Sequence, residues 1–313
     1  MTASSSTPPP RLGVITVGYR SEEELARFLP TVRAATAKPV EVVIADNRPT
    51  WSDGRGAVVA ATAPSPAHVN ATEQLAAASG ARYLSIPANP GYGGAINRAV
   101  TELPGSVEWM LISNPDVLLE PGAIDALVEV GDTDPSIGAV GPAILNEDGT
   151  IYPSARRIPS LRNGVGHALF VNVWPGNRWS RAYLDAPDAD SAQRDAGWLS
   201  GACVLVRRSV FDSIGGFDDG YFMYFEDVDL GYRIGKAGYR NVYAPQARVL
   251  HTGAHSTSGE SAAMIDAHHR SAARFLARRY PGALLWPVRA ALRVGLWVRS
   301  QIAKRRARAA AAD

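Results

Sequence analysis

The side chains that could do chemistry sit in short polar clusters, each at the end of an apolar run. Asn114-Pro115-Asp116 follows the apolar segment that ends at Ser113. A carboxylate on such a strand-end turn can hold a hard divalent cation beside phosphate oxygens. The same tripeptide is also an ordinary turn former, so that reading stays open. Glu226-Asp227-Val228-Asp229-Leu230 opens a helical pattern directly behind the aromatic run Tyr221 to Phe225. Carboxylates at a helix N-terminus are stabilised in the ionised form, which suits a general base and equally a structural cap. Paired acids behind a wall of aromatic rings, apt as a floor for a sugar, favour the functional reading. His251 ends the apolar run Val249-Leu250 and gains weight as a metal ligand only in the company of Asp116. Asn89-Pro90-Gly91-Tyr92-Gly93-Gly94 precedes a helix, where glycines allow close backbone approach and the helix N-terminus favours phosphate oxygens. Its spacing is not that of a dinucleotide fingerprint.

These clusters need elements to position them. Short apolar runs are predicted as strands over Leu12 to Val17, Val40 to Ala45, Arg82 to Ile86, Trp109 to Ser113, Gly138 to Leu145, Trp198 to Val206, Val242 to Ala244 and Ala247 to His251. Between them, helical periodicity is predicted over Glu22 to Ala35, Ala71 to Ser79 and Ala95 to Glu102, with a further helix from the acidic cluster to Gly238. The alternation implies an α/β fold: a mixed, mostly parallel sheet flanked by helices. Ligands collect beyond the carboxyl ends of such strands, and Thr16, Tyr19, Asp46, Asn89, Asn114 and Asp116 all fall there.

Composition sets the outer bounds. The 313 residues carry 32 Lys and Arg against 30 Asp and Glu, a net charge of +2 that gives no reason to expect nucleic-acid binding. The single cysteine, Cys203, lies in an apolar run and is expected in the core, in keeping with a reducing, cytoplasmic setting. Residues 1–10 read as a flexible leader rather than a signal peptide. No apolar run approaches the roughly 20 residues of a membrane span. The expected organisation is a leader (1–10), a catalytic domain (11–253) with a long excursion at 154–195 on its acceptor side, and a helical, basic extension (254–313).

In their order along the chain, Val14 to Arg20, Val43 to Asn47, Asn89 to Asn97, Ser113 to Asp116, Trp198 to Ala202, Gly215 to Asp218, Phe225 to Leu230 and His251 resemble the inverting glycosyltransferases of family 2, with the GT-A fold. The resemblance implies a nucleotide-diphospho-sugar donor held by Thr16, Tyr19, Asp46, Asn89, Gly94, Asn97 and Asn114. It implies a divalent metal, Mg²⁺ or Mn²⁺, on Asp116 and His251. It implies Asp227 as the general base, Glu226 as its neighbour and competitor, and an acceptor site including Trp198, Gly201 and Glu226. Two departures stand out: the usual paired aspartates of the metal motif are Asn114 and Asp116 here, and the stretch from Arg48 to Pro66, with Trp51, replaces a short polar loop. Within the family, the phrases around Asn114, Trp198 to Val206 and Phe225 to Leu230 are most similar to bacterial rhamnosyltransferases, and the Ala/Arg-rich sequence looks actinobacterial, a combination that resembles those acting on N-acetylglucosaminyl-diphospho-decaprenol. That likeness implies dTDP-rhamnose as donor, a polyprenyl-diphosphate-linked sugar as acceptor, and a role in the arabinogalactan–peptidoglycan linker of the cell wall.

The stretch from Gly282 to Arg308 supports a lipid-linked acceptor on physical grounds. Leu284, Leu285, Val288, Leu292, Leu296 and Ile302 share a helical face opposed by Arg289, Arg293 and Lys304, with Arg299 intruding. A basic amphipathic helix of this kind suits an anionic membrane surface, here the inner face of the plasma membrane; packing on the catalytic domain or on a homodimer partner is the alternative. Arg156, Arg157 and Arg162 are further cations for a diphosphate. The 154–195 excursion is expected to close over the acceptor. Three other functions compete. A nucleotidyltransferase would need a glycine-rich basic loop where Gly18-Tyr19-Arg20 stands. A non-catalytic sugar- or lipid-binding module would have no use for Asp116, Asp227 and His251 together. A galactofuranosyl or N-acetylglucosaminyl transferase would share every motif.

Overall fold

In a computed structural model, the described residues are 9–48, 71–159, 192–253 and 262–282, then 285–287, 290–291, 293–295, 297 and 301. The expected leader up to residue 8, most of the Arg48 to Pro66 stretch, the core of the excursion with Arg162, and the basic tail beyond 301 lie outside them.

The first half alternates strand and helix as the sequence predicts. β1 (Leu12–Gly18), α1 (Glu22–Ala34), β2 (Val40–Asp46), α2 (Ala71–Ser79), β3 (Arg82–Ser85), α3 (Tyr92–Val100) and β4 (Trp109–Ser113) follow in turn. β5 (Val117–Leu119), α4 (Ala123–Asp132), β6 (Ile137–Leu145), β7 (Ile151–Tyr152) and β8 (Ala155–Arg156) come next. β9 (Arg194–Ala196), β10 (Trp198–Leu199), β11 (Cys203–Arg207), α5 (Arg208–Ser213), α6 (Glu226–Lys236), β12 (Arg240–His251) and α7 (Ala262–Arg279) complete the chain. The main sheet runs β3-β2-β1-β4-β11-β6-β12-β5, with β7 beside β6 and β9 beside β12. β3, β2, β1 and β4 are parallel, β11 is antiparallel to both its neighbours, β12 is parallel to β6, and β5 returns antiparallel. Strand order reverses at β1, so the crevice opens beyond the ends of β1, β2 and β4.

Both faces of the sheet are covered, which explains strands that are apolar throughout rather than alternating. Leu12, Val14 and Leu111 face α1 and α4 through Leu25, Phe28, Ile124 and Leu127. Ile15, Met110 and Ile112 face α3, α5 and α6 through Ile96, Phe211, Leu230 and Ile234. Cys203 is buried in the first of these clusters, as expected, and burial pushes its thiol up to about 12.

Four local expectations are corrected. Trp198 to Val206 is two strands: β10 pairs with β8 in a separate ribbon, the chain turns at Ser200-Gly201-Ala202, and only β11 enters the main sheet. The two predicted C-terminal strands are one, β12, which keeps its pairing with β6 across a register shift between Ala244 and Arg248; Pro245, lacking an N–H, lies in that irregularity. α3 starts at Tyr92, not Ala95, because Gly91 (φ 86°) turns the chain and the Tyr92 N–H finds the Phe222 carbonyl at 3.2 Å. β5 and α4 were not predicted, although Ala123 to Asp132 buries Ile124, Leu127 and Val128 at helical spacing.

Candidate active site

β5 decides the metal corner. Asp116 sits in the turn between β4 and β5, and β5 pairs antiparallel with the end of β12, His251 opposite Val117. The two candidate ligands therefore meet although they are far apart in sequence: His251 Nε2 is 3.2 Å from Asp116 Oδ1. Both atoms are buried, and neither makes a hydrogen bond of acceptable geometry; proximity here is not pairing. Thr252 locks the corner, its N–H and hydroxyl donating to the Asp116 carbonyl at 2.9 and 3.1 Å. Gly253 keeps it open, since a β-carbon there would fall inside the Asp116 carboxylate. Two buried, partnerless donor atoms facing each other, one imidazole and one carboxylate, fit a divalent cation. Among the described residues no third His, Cys, Asp or Glu joins them. The Asn114 side chain lies beside the same turn, half-buried, while its N–H is held by the Ala202 carbonyl at 2.8 Å.

The acid pair sits at the N-terminus of α6. Tyr224 and Phe225 both adopt left-handed backbone conformations (φ 67° and 66°), costly for side chains of this size and tolerated where surroundings over-determine the turn. That turn puts Glu226 and Asp227 on the first turn of α6 and aims them inward. Asp227 accepts hydrogen bonds from Gly201 N–H (3.0 Å, to Oδ2) and Val228 N–H (2.8 Å, to Oδ1). Burial nevertheless raises its pKa against those donors. Glu226 Oε2 is buried without a partner, and burial followed by the Asp227 charge pushes this carboxyl up to about 8. Both carboxyls are pushed up by burial, and paired acids with raised proton affinities are a pattern of acid–base sites.

Tyr92 ties these parts together, and the sequence analysis missed it. Its ring is partly buried and its hydroxyl donates to the Gly201 carbonyl at 2.8 Å, the residue whose N–H holds Asp227. Burial raises its pKa well above 10, with Glu226, Asp227 and Asp116 all adding to the rise. The Gly201-Ala202 turn joins the acid pair to the metal corner, since Gly201 N–H binds Asp227 and the Ala202 carbonyl accepts from Asn114 N–H. The signal was present as an aromatic at the first helical position of a glycine-rich turn.

At the ends of β1 and β2 the predicted donor residues fare unevenly. Asp46 is buried and already engaged by Arg48 (Nη2 3.0 Å, Nε 3.1 Å) and by the Tyr83 hydroxyl (3.1 Å). Arg48 reaches Glu22 as well, at 2.5 Å, and its carboxylate bonds hold its own pKa up. Thr16 is fully buried and its hydroxyl lacks a partner, whereas Tyr19 is half-exposed at the rim. Asn89 (φ 43°) accepts from the Asn47 amide at 2.8 Å. Gly94 and Asn97 have packing jobs: a β-carbon on Gly94 would press on Pro90, and the Asn97 amide donates to the Phe217 carbonyl (2.9 Å) and Asp219 (2.8 Å). On the acceptor side, the Trp198 indole N–H donates to the Arg157 carbonyl at 3.2 Å, and Gly201 contacts Asp227 as described. Asp229, in the same first turn of α6, and Asp218, in the loop before it, are clamped by Arg233, Arg274 and Arg278. A cavity of about 650 Å³ lies between α7 and the C-terminal segment, lined by Arg270, Arg274, Arg293 and Trp297, and includes none of the predicted site residues.

Comparison with known proteins identifies the fold and the family. The chain is 43% identical over 312 residues to the N-acetylglucosaminyl-diphospho-decaprenol L-rhamnosyltransferase of Mycobacterium tuberculosis, spanning 95% of this chain and 96% of that one. It is 26% identical over 177 residues to the rhamnosyltransferase WbbL of Escherichia coli K12, spanning 56% of this chain and 64% of that one. Among solved structures, the mannosyltransferase PcManGT of Pyrobaculum calidifontis, in complex with GDP-Man and Mn²⁺, superposes with a TM-score of 0.55 at 19% identity, over 98% of this chain and 75% of that one. GalNAc-T7, with UDP, GalNAc and Mn²⁺, gives 0.53 at 14% identity over 78% of this chain and 43% of that one. The fold is that of the GT-A glycosyltransferases. Residues 3–274 match the family described as glycosyltransferase like family 2, and the chain belongs to that family.

Proposed function

We propose that the protein transfers L-rhamnose from dTDP-rhamnose to an N-acetylglucosaminyl-diphospho-polyprenol, inverting the anomeric carbon, in building the arabinogalactan–peptidoglycan linker. The observation that carries this reading is the 43% identity to the mycobacterial rhamnosyltransferase over nearly the whole of both chains. Asp227 takes the proton from the attacking acceptor hydroxyl as the new glycosidic bond forms and the bond to the nucleoside diphosphate breaks. Glu226, its proton affinity raised by burial, offers a hydrogen bond to the acceptor sugar from its unpartnered oxygen. Asp116 and His251 would hold Mg²⁺ or Mn²⁺, which neutralises charge on the departing diphosphate. Thr16, Tyr19, Asp46, Asn89 and Asn114 line the donor side, with Gly94 and Asn97 keeping its wall in shape.

The site of action is the inner membrane surface. No helix among the described residues is long and apolar enough to cross a membrane. Trp286, Val294 and Trp297, however, are all more than half exposed on the C-terminal segment, beside its arginines. Aromatic rings with basic neighbours suit the lipid headgroup layer. The test is transfer from a panel of nucleotide sugars to polyprenyl-diphospho-N-acetylglucosamine, with Mn²⁺, with Mg²⁺ and with chelator. Metal-dependent transfer from dTDP-rhamnose alone is expected. Preferential transfer from another donor would overturn the rhamnose assignment and leave the base assignment standing.

A further inference from the structure

Several arginines among the described residues are neutralised by acids. Arg48 meets Asp46 and Glu22, Arg233 meets Asp229, Arg240 meets Asp134 and Asp195, and Arg274 meets Asp218. The ribbon of β8 and β10 carries arginines that are held differently. Arg156 and Arg157 make no ion pair among the described residues. Arg194 adds a third positive charge at the same place, donating to the Ala155 carbonyl at 3.2 Å, and its proton affinity is lowered by burial and by Arg157. Two neighbouring arginines, Arg156 and Arg157, with no ion pair among the described residues suit an anionic ligand.

Arg156 is held as a binding group would be. Its guanidinium lies over the rings of Tyr152 (5.7 Å) and Trp198 (5.8 Å), and its Nε donates to the Pro153 carbonyl at 2.8 Å. That fixes the plane of the fork and leaves both terminal nitrogens without a partner among the described residues. The ribbon beneath it is anchored to the catalytic turn. Gly197 N–H donates to the Arg156 carbonyl at 2.8 Å, and Ser200 N–H to the Ser154 carbonyl at 2.7 Å, one residue before the glycine that binds Asp227. The Arg156 charge is close enough to lower the proton affinity of Asp227. An anion on this ribbon is therefore near the hydroxyl that Asp227 deprotonates, and in the acceptor that hydroxyl and the diphosphate belong to one sugar ring.

We propose that Arg156, with Arg157 beside it, is the binding site for the diphosphate of the lipid-linked acceptor, separate from the donor diphosphate at the Asp116 and His251 corner. A planar fork with free N–H groups matches paired phosphate oxygens. The inference rests on the reading of the acceptor given above, and its test separates the two.

The experiment compares farnesyl-diphospho-N-acetylglucosamine with the uncharged octyl N-acetylglucosaminide as acceptors, for the wild type, Arg156→Gln, Arg156→Lys, Arg157→Ala and the exposed control Arg82→Ala. Arg156→Gln is expected to lower the preference for the charged acceptor tenfold or more, through KM, with the donor KM within twofold of wild type. Arg156→Lys recovers part of the loss, and Arg82→Ala leaves the preference unchanged. An equal loss on both acceptors would overturn the proposal. A binding arm, independent of transfer, uses farnesyl diphosphate against farnesol with dTDP and Mn²⁺ filling the donor side. If the wild type glycosylates neither acceptor but binds farnesyl diphosphate in an Arg156-dependent way, the site stands and the acceptor reading falls. If wild type and Arg156→Gln bind farnesyl diphosphate equally, the site falls.

Discussion

Replacing Gly253 with alanine should disable the metal corner without unfolding the protein. The backbone at this glycine is outside the left-handed region, so alanine is conformationally acceptable there. The obstacle is steric: an added β-carbon would lie within the Asp116 carboxylate and 2.8 Å from the Asp116 β-carbon. Retreat of the main chain is opposed, because Thr252 is bonded to the Asp116 carbonyl through both its N–H and its hydroxyl. The carboxylate must therefore rotate away from His251. Losing the alignment of one of two protein ligands is comparable to the second-shell changes that cost about 10- to 100-fold in metal affinity, or about 1.4 to 2.8 kcal/mol. The assay is a Mn²⁺ titration followed by calorimetry in the presence of dTDP, with a thermal melt of the apoprotein alongside. A Mn²⁺ affinity within twofold of wild type, in a variant that melts normally, would refute the assignment of this corner to the metal.

Other perturbations read the acid pair and its support. Asp227→Asn keeps an oxygen for the Gly201 N–H yet removes the base, so kcat should fall by about 10²- to 10⁴-fold with donor binding intact; an unchanged turnover would show that Asp227 is not the base. For Glu226 the sign follows from proton uptake. The unfolded side chain releases its proton near 4.5 and the folded one near 8, so the folded state binds more protons between those values and loses stability as pH rises through them. Glu226→Gln removes that dependence, and its unfolding midpoint should rise relative to wild type from pH 5 to pH 8; parallel curves for the two proteins would contradict the buried, protonated state. Arg233→Ala strips the fully buried Asp229 of a 2.6 Å partner while Arg278 remains at 3.3 Å. Urea denaturation should show a loss of about 2 to 3 kcal/mol, below the full cost of an uncompensated buried charge. A loss under about 1 kcal/mol would mean that Arg278 alone neutralises Asp229.

Local pattern was enough to read the frame of the molecule. Runs such as Leu12 to Val17 and Trp109 to Ser113 are apolar on both faces because helices cover both, and no other environment accommodates them. The polar residues that end them fall at the crevice for the same reason, since a strand must stop where its side chains can no longer be buried. Asp116, Glu226, Asp227 and His251 were legible because acids and a histidine at the ends of apolar runs have few structural uses in combination. Tertiary structure decided the rest. Nothing local says that β5 returns antiparallel to β12, yet that pairing alone carries His251 to Asp116. Nothing local says that Gly201 lends its N–H to Asp227, or that Tyr92 holds Gly201 from another helix, and the long strand predicted over Trp198 to Val206 had to break for that turn to exist. The proton affinities of Glu226 and Asp227 likewise depend on burial by elements distant in sequence. Periodicity reports which face of an element is covered, but not what covers it, and partnership between remote groups is set by the packing of the whole sheet.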